Sequence, residues 1–386
     1  MRQVVPPSQK PSTVCAAPDG ERKVTRNRVA SGSAAGAAAV KAASNTAHRG
    51  TSVSAAPRTA MTVIASGVML RAIMIHRRDF LKLAGASVVT SAASQSIGSS
   101  AVAAEPLYKI SLAQWSINRP LFDGRMQHLD FAKIAKSVGI DAIEYVNQFF
   151  KDKAKDQAFL AEMNARAKGE GVTQVLIMVD GEGNLGDPDG AKRQESVERH
   201  YQWIDAAKTL GCHTVRVNGY SSGTPEEQMK LVADGMRKLA EYADPRGINV
   251  VIENHGGLSS NAKWLVQTIR MVDHPRAGTL PDFGNFRISR ADPKNPGAKV
   301  ESYDSYVGVA EMMPLAKGVS VKPRVWDFNG NSSDIDLLKM MKIVVDAGYR
   351  GHAGIEHGPE GNELEGIRTL RQQLEAVRDQ LAAARK

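Results

Sequence analysis

The chain has 386 residues and a formal net charge of +9, and this charge is unevenly distributed. Residues 1–104 contain 13 of the 50 Lys and Arg residues but only 3 of the 41 Asp and Glu residues, so residues 105–386 contain 37 basic and 38 acidic residues. A nucleic-acid-binding domain needs a basic face. Because the larger segment has no basic excess, the composition argues against nucleic acid as a partner.

Residues 1–73 are rich in Ala, Ser, Thr and Arg and show little hydrophobic periodicity, which is typical of a disordered segment. Export signals stand at the true N-terminus of a protein, and a candidate signal begins at Met74. We therefore expect residues 1–73 to be a disordered extension, or one added by a misassigned start codon.

Residues 74–104 contain an arginine pair followed by a weakly apolar stretch. The run His76-Arg77-Arg78-Asp79-Phe80-Leu81-Lys82 is similar to the twin-arginine export pattern Ser/Thr-Arg-Arg-x-Phe-Leu-Lys and departs from it at the first position. Residues 83–103 are too polar for a stable membrane span, and Ala101-Val102-Ala103 matches a small-x-small cleavage site. The resemblance implies a signal peptide, the twin-arginine export machinery as a partner, and a periplasmic or extracellular location. A soluble helix and an uncleaved anchor are the alternatives.

From residue 105 onward, short apolar runs alternate with amphipathic stretches, which is typical of βα units around a parallel sheet. The predicted strands are Ile110–Trp115, Ala142–Val146, Gln174–Val179, Thr214–Asn218, Asn249–Asn254, Ala277–Pro281, Gly318–Lys322 and His352–His357. The predicted helices are Leu129–Val138, Asp156–Gly169, Ala191–Leu210, Glu226–Asp244, Ala262–Val272, Tyr303–Leu315, Ile335–Ala347 and Glu363–Ala383. Two of these helices are followed by a glycine, Gly139 or Gly348, of the kind that caps a helix end.

Eight such units predict a single α/β domain over residues 105–386, a (β/α)8 TIM barrel. An open doubly wound sheet is the alternative, but it is expected to carry a G-x-G-x-x-G loop after an early strand, and the sequence has none there. Of the two cysteines, Cys15 lies in the leader. Cys212 is predicted to be a buried core residue rather than a catalytic thiol.

Carboxylates stand at the ends of four predicted strands: Glu144, Glu253, Asp282 and Glu356. Active sites of TIM barrels lie at the C-terminal ends of the strands, and strand alternation points His255 to the same side as Glu253. A single carboxylate at a strand end is more often a helix cap or a solvated group. Four that face one mouth repel one another and need compensation, for which a divalent metal or a lysine is suited.

The motifs around three of these residues, Ile-Glu253-Asn-His-Gly-Gly, Pro-Asp282-Phe-Gly-Asn and Gly-Ile-Glu356-His, resemble metal-ligand motifs of the xylose-isomerase-like sugar isomerases and epimerases. The similarity extends over residues 107–380. The fourth ligand of that family is a histidine in a His-x-Lys pattern, where this chain has Ser320-Val-Lys322. Serine is a poor ligand for a divalent transition ion. Either His255 completes the metal site, or Lys322 replaces part of the metal's electrostatic role.

Further side chains are predicted to contact a substrate. An aromatic ring can pack on the C–H surface of a sugar, although Trp115 also suits ordinary loop packing. Arg216 has the same parity as Asn218 on the fourth strand and can neutralise carboxylates deeper in the barrel. The predicted substrate-binding residues are Glu144, Trp115, Asn218, Asn285 and His357.

The family resemblance implies removal of a proton next to a carbonyl, which needs a base and a cation that holds the oxygens. Glu253 and Glu356, across the mouth from each other, suit the proton transfers. Lys322 or a divalent metal is suited to hold the substrate oxygens. A divalent ion, Mn²⁺, Mg²⁺ or Zn²⁺, would be bound by Glu253, Asp282, Glu356 and His255. We expect an exported carbohydrate isomerase or epimerase, or a keto-sugar lyase, with a small sugar as substrate. A catalytically weak sugar-binding barrel is the alternative, and too few strand-end histidines are present for a relative of endonuclease IV.

Overall fold

The structure is a computed structural model, and it describes residues 105–289, 301–326, 331–357 and 361–385. The expected extension (1–73) and the expected signal peptide (74–104) both lie outside the described residues. Within the described part, no helix combines the length and the apolar character needed to cross a membrane.

Eight parallel strands form the wall of a barrel. They are β1 (Lys109–Ala113), β2 (Ala142–Val146), β3 (Thr173–Met178), β4 (Thr214–Val217), β5 (Asn249–Glu253), β6 (Ala277–Leu280), β7 (Val319–Val321) and β10 (His352–Ile355). Their order in the sheet is β6-β5-β4-β3-β2-β1-β10-β7. Two isolated bridges, Thr279 with Ala316 and Asp282 with Ser320, join the β6 and β7 edges. The barrel is therefore nearly closed, and the predicted TIM-barrel fold is confirmed.

The helices lie between the strands, as the sequence predicts. They are α1 (Asn118–Phe122), α2 (Phe131–Ser137), α3 (Gln157–Gly169), α4 (Gly190–Thr209), α5 (Pro225–Ala243), α6 (Ala262–Val272), α7 (Ser305–Met312), α8 (Leu337–Asp346) and α9 (Glu363–Ala383). The short α1 was not predicted. Gly139 and Gly348 have φ angles of 79° and 87°, so both take the left-handed conformation predicted for residues that end a helix.

A short hairpin, which the sequence did not predict, follows β7. Its strands, β8 (Arg324–Trp326) and β9 (Ser332–Asp334), pair antiparallel and form a separate two-stranded sheet. The chain returns from it into α8 and then into β10. The hairpin therefore lengthens the connection that leaves the mouth of the barrel after β7.

Two layers of buried side chains hold the barrel together. The larger layer lies between the strands and the helices and includes Trp203 and Cys212, which is a free, buried cysteine as predicted. A smaller layer, with Met178, Val251 and Leu280, fills the barrel interior. Burying one such side chain contributes about 1.5–3 kcal/mol. The interior layer forms the floor on which the polar residues of the mouth stand.

Candidate active site

Three carboxylates meet at the C-terminal mouth of the barrel. Glu253 ends β5, Asp282 follows β6 by two residues, and Glu356 directly follows β10. All three are buried, and one oxygen of each lies within 4.8 Å of the others. This cluster could hold a metal ion. Glu253 and Glu356 were expected to lie across the mouth from each other, and the structure places them closer together than that.

Lys322, directly after β7, lies between two of these carboxylates. Its Nζ is 2.9 Å from Asp282 Oδ2 and 2.9 Å from Glu356 Oε1. Burial disfavours the charged amine, but the charges of Asp282, Glu356 and Glu253 outweigh burial and raise the pKa of Lys322 far above its usual value. The side chain is therefore a permanent ammonium, and it is 20% exposed, so that it can be reached from the mouth.

Ser320 points into the same cluster because it lies two residues before Lys322 on an extended strand. Its hydroxyl donates a hydrogen bond of 2.6 Å to Asp282 Oδ2 and lies 3.5 Å from Glu356 Oε2. A hydroxyl has one proton to donate. Ser320 therefore donates this proton to Asp282 and helps to fix the carboxylate that also faces Lys322.

Asp282 is held on its remaining sides by backbone and amide groups. Its Oδ1 accepts hydrogen bonds from the backbone N–H groups of Gly284 (2.8 Å) and Asn285 (2.9 Å). The Asn254 side chain accepts from the backbone N–H of Asp282 at 2.7 Å and donates to its carbonyl at 2.9 Å. The carboxylate is therefore fixed by the turn that follows β6.

Glu253 faces an arginine that also pairs with a second acid. Asn285 Nδ2 donates to Glu253 Oε1 at 2.9 Å, while Arg216 Nε lies 3.0 Å from Oε2. This second contact is an ion pair without hydrogen-bond alignment, because neither atom has a hydrogen-bond partner. Burial raises the pKa of Glu253, and Arg216 and His255 oppose that shift.

Asp180 is the other partner of Arg216. The arginine Nη1 and Asn218 Nδ2 each donate to Asp180 Oδ1 at 2.7 Å. Burial disfavours its charge, but Arg216 and Asn218 together outweigh burial and lower the pKa of Asp180 to about 2. Sequence reasoning missed Asp180, although strand parity could have found it: Leu176 and Met178 face the interior, and Asp180 continues that series.

Glu144 lies deeper than its predicted position at a strand end, because it occupies the middle of β2. Ser111 Oγ donates to Glu144 Oε1 at 2.6 Å. Burial, with smaller effects of Glu356 and Glu253, raises the pKa of Glu144 to about 8 despite the Ser111 hydrogen bond. A Cβ atom at Gly354 would lie only 2.5 Å from this carboxyl group. Burial therefore favours the uncharged form of Glu144, which lies beneath the mouth.

His255 is not brought into the carboxylate cluster. The residue is exposed, and its Nδ1 lies 2.9 Å from Asn218 Oδ1 and 3.1 Å from Tyr220 Oη. Asn218 and Asn285, both expected to bind substrate, already use their amides on Asp180 and Glu253. These side chains position charged groups of the site.

His357 lies against the start of α9. Its ring nearly touches Gly366, where an added Cβ would lie 1.9 Å away, and its Nδ1 has no hydrogen-bond partner. Burial and Arg324 lower its pKa. The ring is thus packed against α9, and the described residues include no hydrogen bond that joins it to the carboxylate cluster.

Trp115 belongs to an aromatic group on the other side of the mouth. Its ring centroid lies 6.0 Å from that of Phe122 and 6.2 Å from that of Phe149, and the two phenylalanine rings are 5.1 Å apart. Trp115 and Phe149 pack against the interior layer of the barrel, whereas Phe122 is 61% exposed. The two phenylalanines follow β1 and β2 and were not predicted as site residues.

A tightly held transition ion does not fit the cluster while Lys322 occupies it. Among the residues that the structure describes, no imidazole joins the three carboxylates, and the ammonium already contacts Asp282 and Glu356. At an effective dielectric constant of about 20, a doubly charged ion about 4 Å from an ammonium meets a repulsion of about 8 kcal/mol. Glu253 Oε2 already pairs with Arg216 Nε at 3.0 Å, and Asp282 and Glu356 become available as ligands only if Lys322 moves away.

The sequence model of a family described as "Xylose isomerase-like TIM barrel" matches residues 132–378. The chain belongs to this family. It is also 25% identical over 203 residues to the 3-dehydroshikimate dehydratase of Pseudomonas putida, a match that covers 48% of this chain and 31% of that protein. The chain thus spans about a third of the length of that relative.

Solved structures give the same fold. A xylose isomerase-like TIM barrel protein from Mycobacterium smegmatis in complex with magnesium is 18% identical, with a TM-score of 0.53 over 70% of this chain and 96% of that one. A D-tagatose 3-epimerase-like protein is 16% identical, with a TM-score of 0.55 over 71% and 99% of the two chains. At these identities the similarity concerns the fold.

Proposed function

We propose that this family member is a carbohydrate isomerase or epimerase, or a related keto-sugar lyase, that transfers protons next to a carbonyl group. The observation that carries the proposal is the Lys322 ammonium held between Asp282 and Glu356, with Glu253 in the same cluster. One mouth thus offers carboxylates that can accept a proton and a fixed cation that can hold an oxygen. Removal of a proton next to a carbonyl needs both.

The chemistry follows from these groups. Glu356 or Glu253 takes the proton from the carbon next to the carbonyl, the C–H electron pair forms a C=C bond, and the carbonyl π electrons move onto the oxygen. Return of a proton to the opposite face of that carbon, as the C=O bond re-forms, gives the epimer. For the isomer, the hydroxyl on that carbon gives its proton to the former carbonyl oxygen and becomes the new C=O group, while the carbon-bound proton returns to the former carbonyl carbon. In the lyase branch the C=O bond re-forms, the C=C electrons move towards the next carbon, and the C–O bond on that carbon breaks. The leaving hydroxyl takes the proton held by the glutamate and departs as water. The Pseudomonas putida relative is named as a dehydratase, which supports the lyase branch.

Two different cations are able to hold the carbonyl oxygen of the substrate as negative charge develops on it. The first is Lys322. The second is a divalent ion, Mn²⁺, Mg²⁺ or Zn²⁺, on Glu253, Asp282 and Glu356, with His255 or water; when bound, such an ion stabilises negative charge on oxygen. The carboxylate cluster and the magnesium in the Mycobacterium smegmatis protein support the second.

Solvent-exchange measurements test the function. The full chain is incubated in D₂O with a panel of keto sugars and cyclic polyhydroxy ketones, and NMR follows loss of the proton next to the carbonyl. We expect exchange, and we expect Glu356→Gln to slow it by about 10²-fold or more because a general base is lost. The control Glu365→Gln, an exposed position on α9, should match the wild type. Equal rates in all three proteins would exclude Glu356 as the base.

A sugar-binding barrel without activity is the second candidate, because Ser320 stands in place of the family histidine. The same panel separates the two: saturable binding of a sugar without any proton exchange supports the binding protein. Exchange that depends on Glu356 excludes it.

We also propose export by the twin-arginine machinery to the periplasm or beyond, on the strength of residues 76–82. Changing Arg77 and Arg78 to Lys should retain the precursor in the cytoplasm, measured by cell fractionation. Normal export of the double variant would exclude this route.

A further inference from the structure

We propose that Lys322 is the resident cation of the site and holds the substrate oxygen directly, in the place of a divalent metal ion. The inference rests on the proposed proton-transfer function and assigns the cation on which that function depends. It makes Lys322 a catalytic residue that keeps its proton throughout the reaction.

Lys322 has more N–H groups than it has carboxylate partners among the described residues. An ammonium has three donors, and two of them face Asp282 Oδ2 and Glu356 Oε1 at 2.9 Å. Among the residues that the structure describes, no further acceptor pairs with the third, which leaves it for a ligand. Because the Lys322 side chain is 20% exposed whereas Asp282 is fully buried, a molecule that enters the mouth reaches the ammonium before it reaches Asp282.

The surroundings of Lys322 fix its ammonium group in position. Asp282 is itself held by Ser320 Oγ at 2.6 Å and by two backbone N–H groups, so it cannot turn away from Lys322. A cation that is held in advance needs no reorganisation when charge develops on an oxygen beside it. Ser320 is therefore a positioning residue: its hydroxyl supports the carboxylate that anchors the lysine.

A lysine can also act as a nucleophile, and the surroundings of Lys322 disfavour that role. A lysine that attacks a carbonyl must lose its proton, whereas Lys322 lies between two carboxylates, which favour the charged form. The geometry therefore assigns it an electrostatic role and not a covalent one. Treatment with borohydride in the presence of a keto sugar should leave the mass of the protein unchanged.

Metal binding tests the proposal. The full chain is purified without added metal, its metal content is measured by mass spectrometry, and Mn²⁺ is titrated by calorimetry into the wild type, Lys322→Met and Lys136→Met. Lys136 is an exposed lysine that pairs with Asp141, which makes it the matched control. We expect no bound metal and no heat in the wild type and in the control. Lys322→Met should bind Mn²⁺ at least about tenfold more tightly, because the repelling ammonium is gone.

One bound ion per wild-type chain, or stoichiometric Mn²⁺ binding at micromolar concentration, would overturn the proposal. Absence of heat in all three proteins, together with a destabilised Lys322→Met, also supports it. If Lys322→Met does not fold, the wild type decides alone: proton exchange that survives chelation with EDTA supports the lysine, and exchange that EDTA abolishes and Mn²⁺ restores contradicts it. Absence of exchange with every compound, by contrast, counts against the proposed function and leaves the calorimetric result to judge the cation.

Discussion

The two sides of the barrel mouth differ in chemistry. The charged side, which we define as Glu253, Asp282, Lys322 and Glu356, comes from β5, β6, β7 and β10 and is almost entirely buried. The aromatic side, Trp115, Phe122 and Phe149, follows β1 and β2 and is partly open to solvent. Asp180 joins the two, because it accepts from Arg216 at 2.7 Å and lies 3.3 Å from Gln148, the neighbour of Phe149.

This difference separates two tasks. Charges act most strongly where water is excluded and their positions are fixed, which describes the charged side. Apolar rings bury the C–H surface of a ligand without fixing its oxygens. Substitutions on the charged side should therefore affect stability, pH response and turnover, whereas those on the aromatic side should affect ligand affinity.

The largest stability effect is expected for Lys322→Met. The change leaves Asp282 and Glu356 buried and facing each other without a counter-charge, and breaking a buried pair in this way costs about 3–5 kcal/mol. Urea unfolding measures it. The surface variant Lys136→Met should change the free energy of unfolding by less than about 0.5 kcal/mol. Equal effects of the two substitutions would show that Asp282 and Glu356 do not depend on Lys322 as their counter-charge.

A pH-dependent effect is expected at Glu144. Its folded pKa of about 8 lies above its unfolded value, so the folded state binds the extra proton between those two values. This contribution to stability is complete below about pH 4.5 and is lost as the pH rises through 8, at about 1.4 kcal/mol per pH unit in between. The groups whose charges act on it are Glu253 and Glu356.

Glu144→Gln removes the titrating group and keeps an oxygen for the Ser111 hydroxyl. Unfolding curves at pH 5, 7 and 9 should show that the variant gains stability over the wild type as the pH rises. The same pH slope in both proteins would mean that Glu144 is not the uncharged acid described above.

The smallest effect is expected on the aromatic side. Trp115→Ala removes one ring from a half-buried group, and the lost apolar contact corresponds to about 1–2 kcal/mol, or roughly tenfold in ligand affinity. Steady-state kinetics should show a higher KM with little change in kcat. A large fall in kcat with an unchanged KM would show that the aromatic side contributes to turnover and not to ligand affinity, contrary to the division of tasks between the two sides.

Much of the fold could be predicted because it depends on local patterns. Alternation of apolar runs and amphipathic stretches gave the eight βα units, and strand parity placed Ser320 and Lys322 on one face. The β8–β9 hairpin has no such pattern, since its strands are three residues long and exposed in part.

The partners within the site could not be predicted, because they depend on contacts between distant segments. Parity indicates that Glu253 and His255 share a direction, yet the chain leaves the strand after Glu253 and takes His255 towards Tyr220 and Asn218. Likewise, the sequence showed that carboxylates need a counter-charge and left a metal and Lys322 as alternatives. The choice between them requires the side-chain distances.

We expect Lys322 to hold the substrate oxygen next to the carbon from which a proton is removed. A crystal structure of the full chain with a bound keto sugar tests it most directly. We predict a carbonyl or hydroxyl oxygen of the ligand at hydrogen-bond distance from Lys322 Nζ, with Glu356 or Glu253 beside the adjacent carbon. A ligand whose oxygens contact a metal ion on Glu253, Asp282 and Glu356, with Lys322 turned away, would contradict the account.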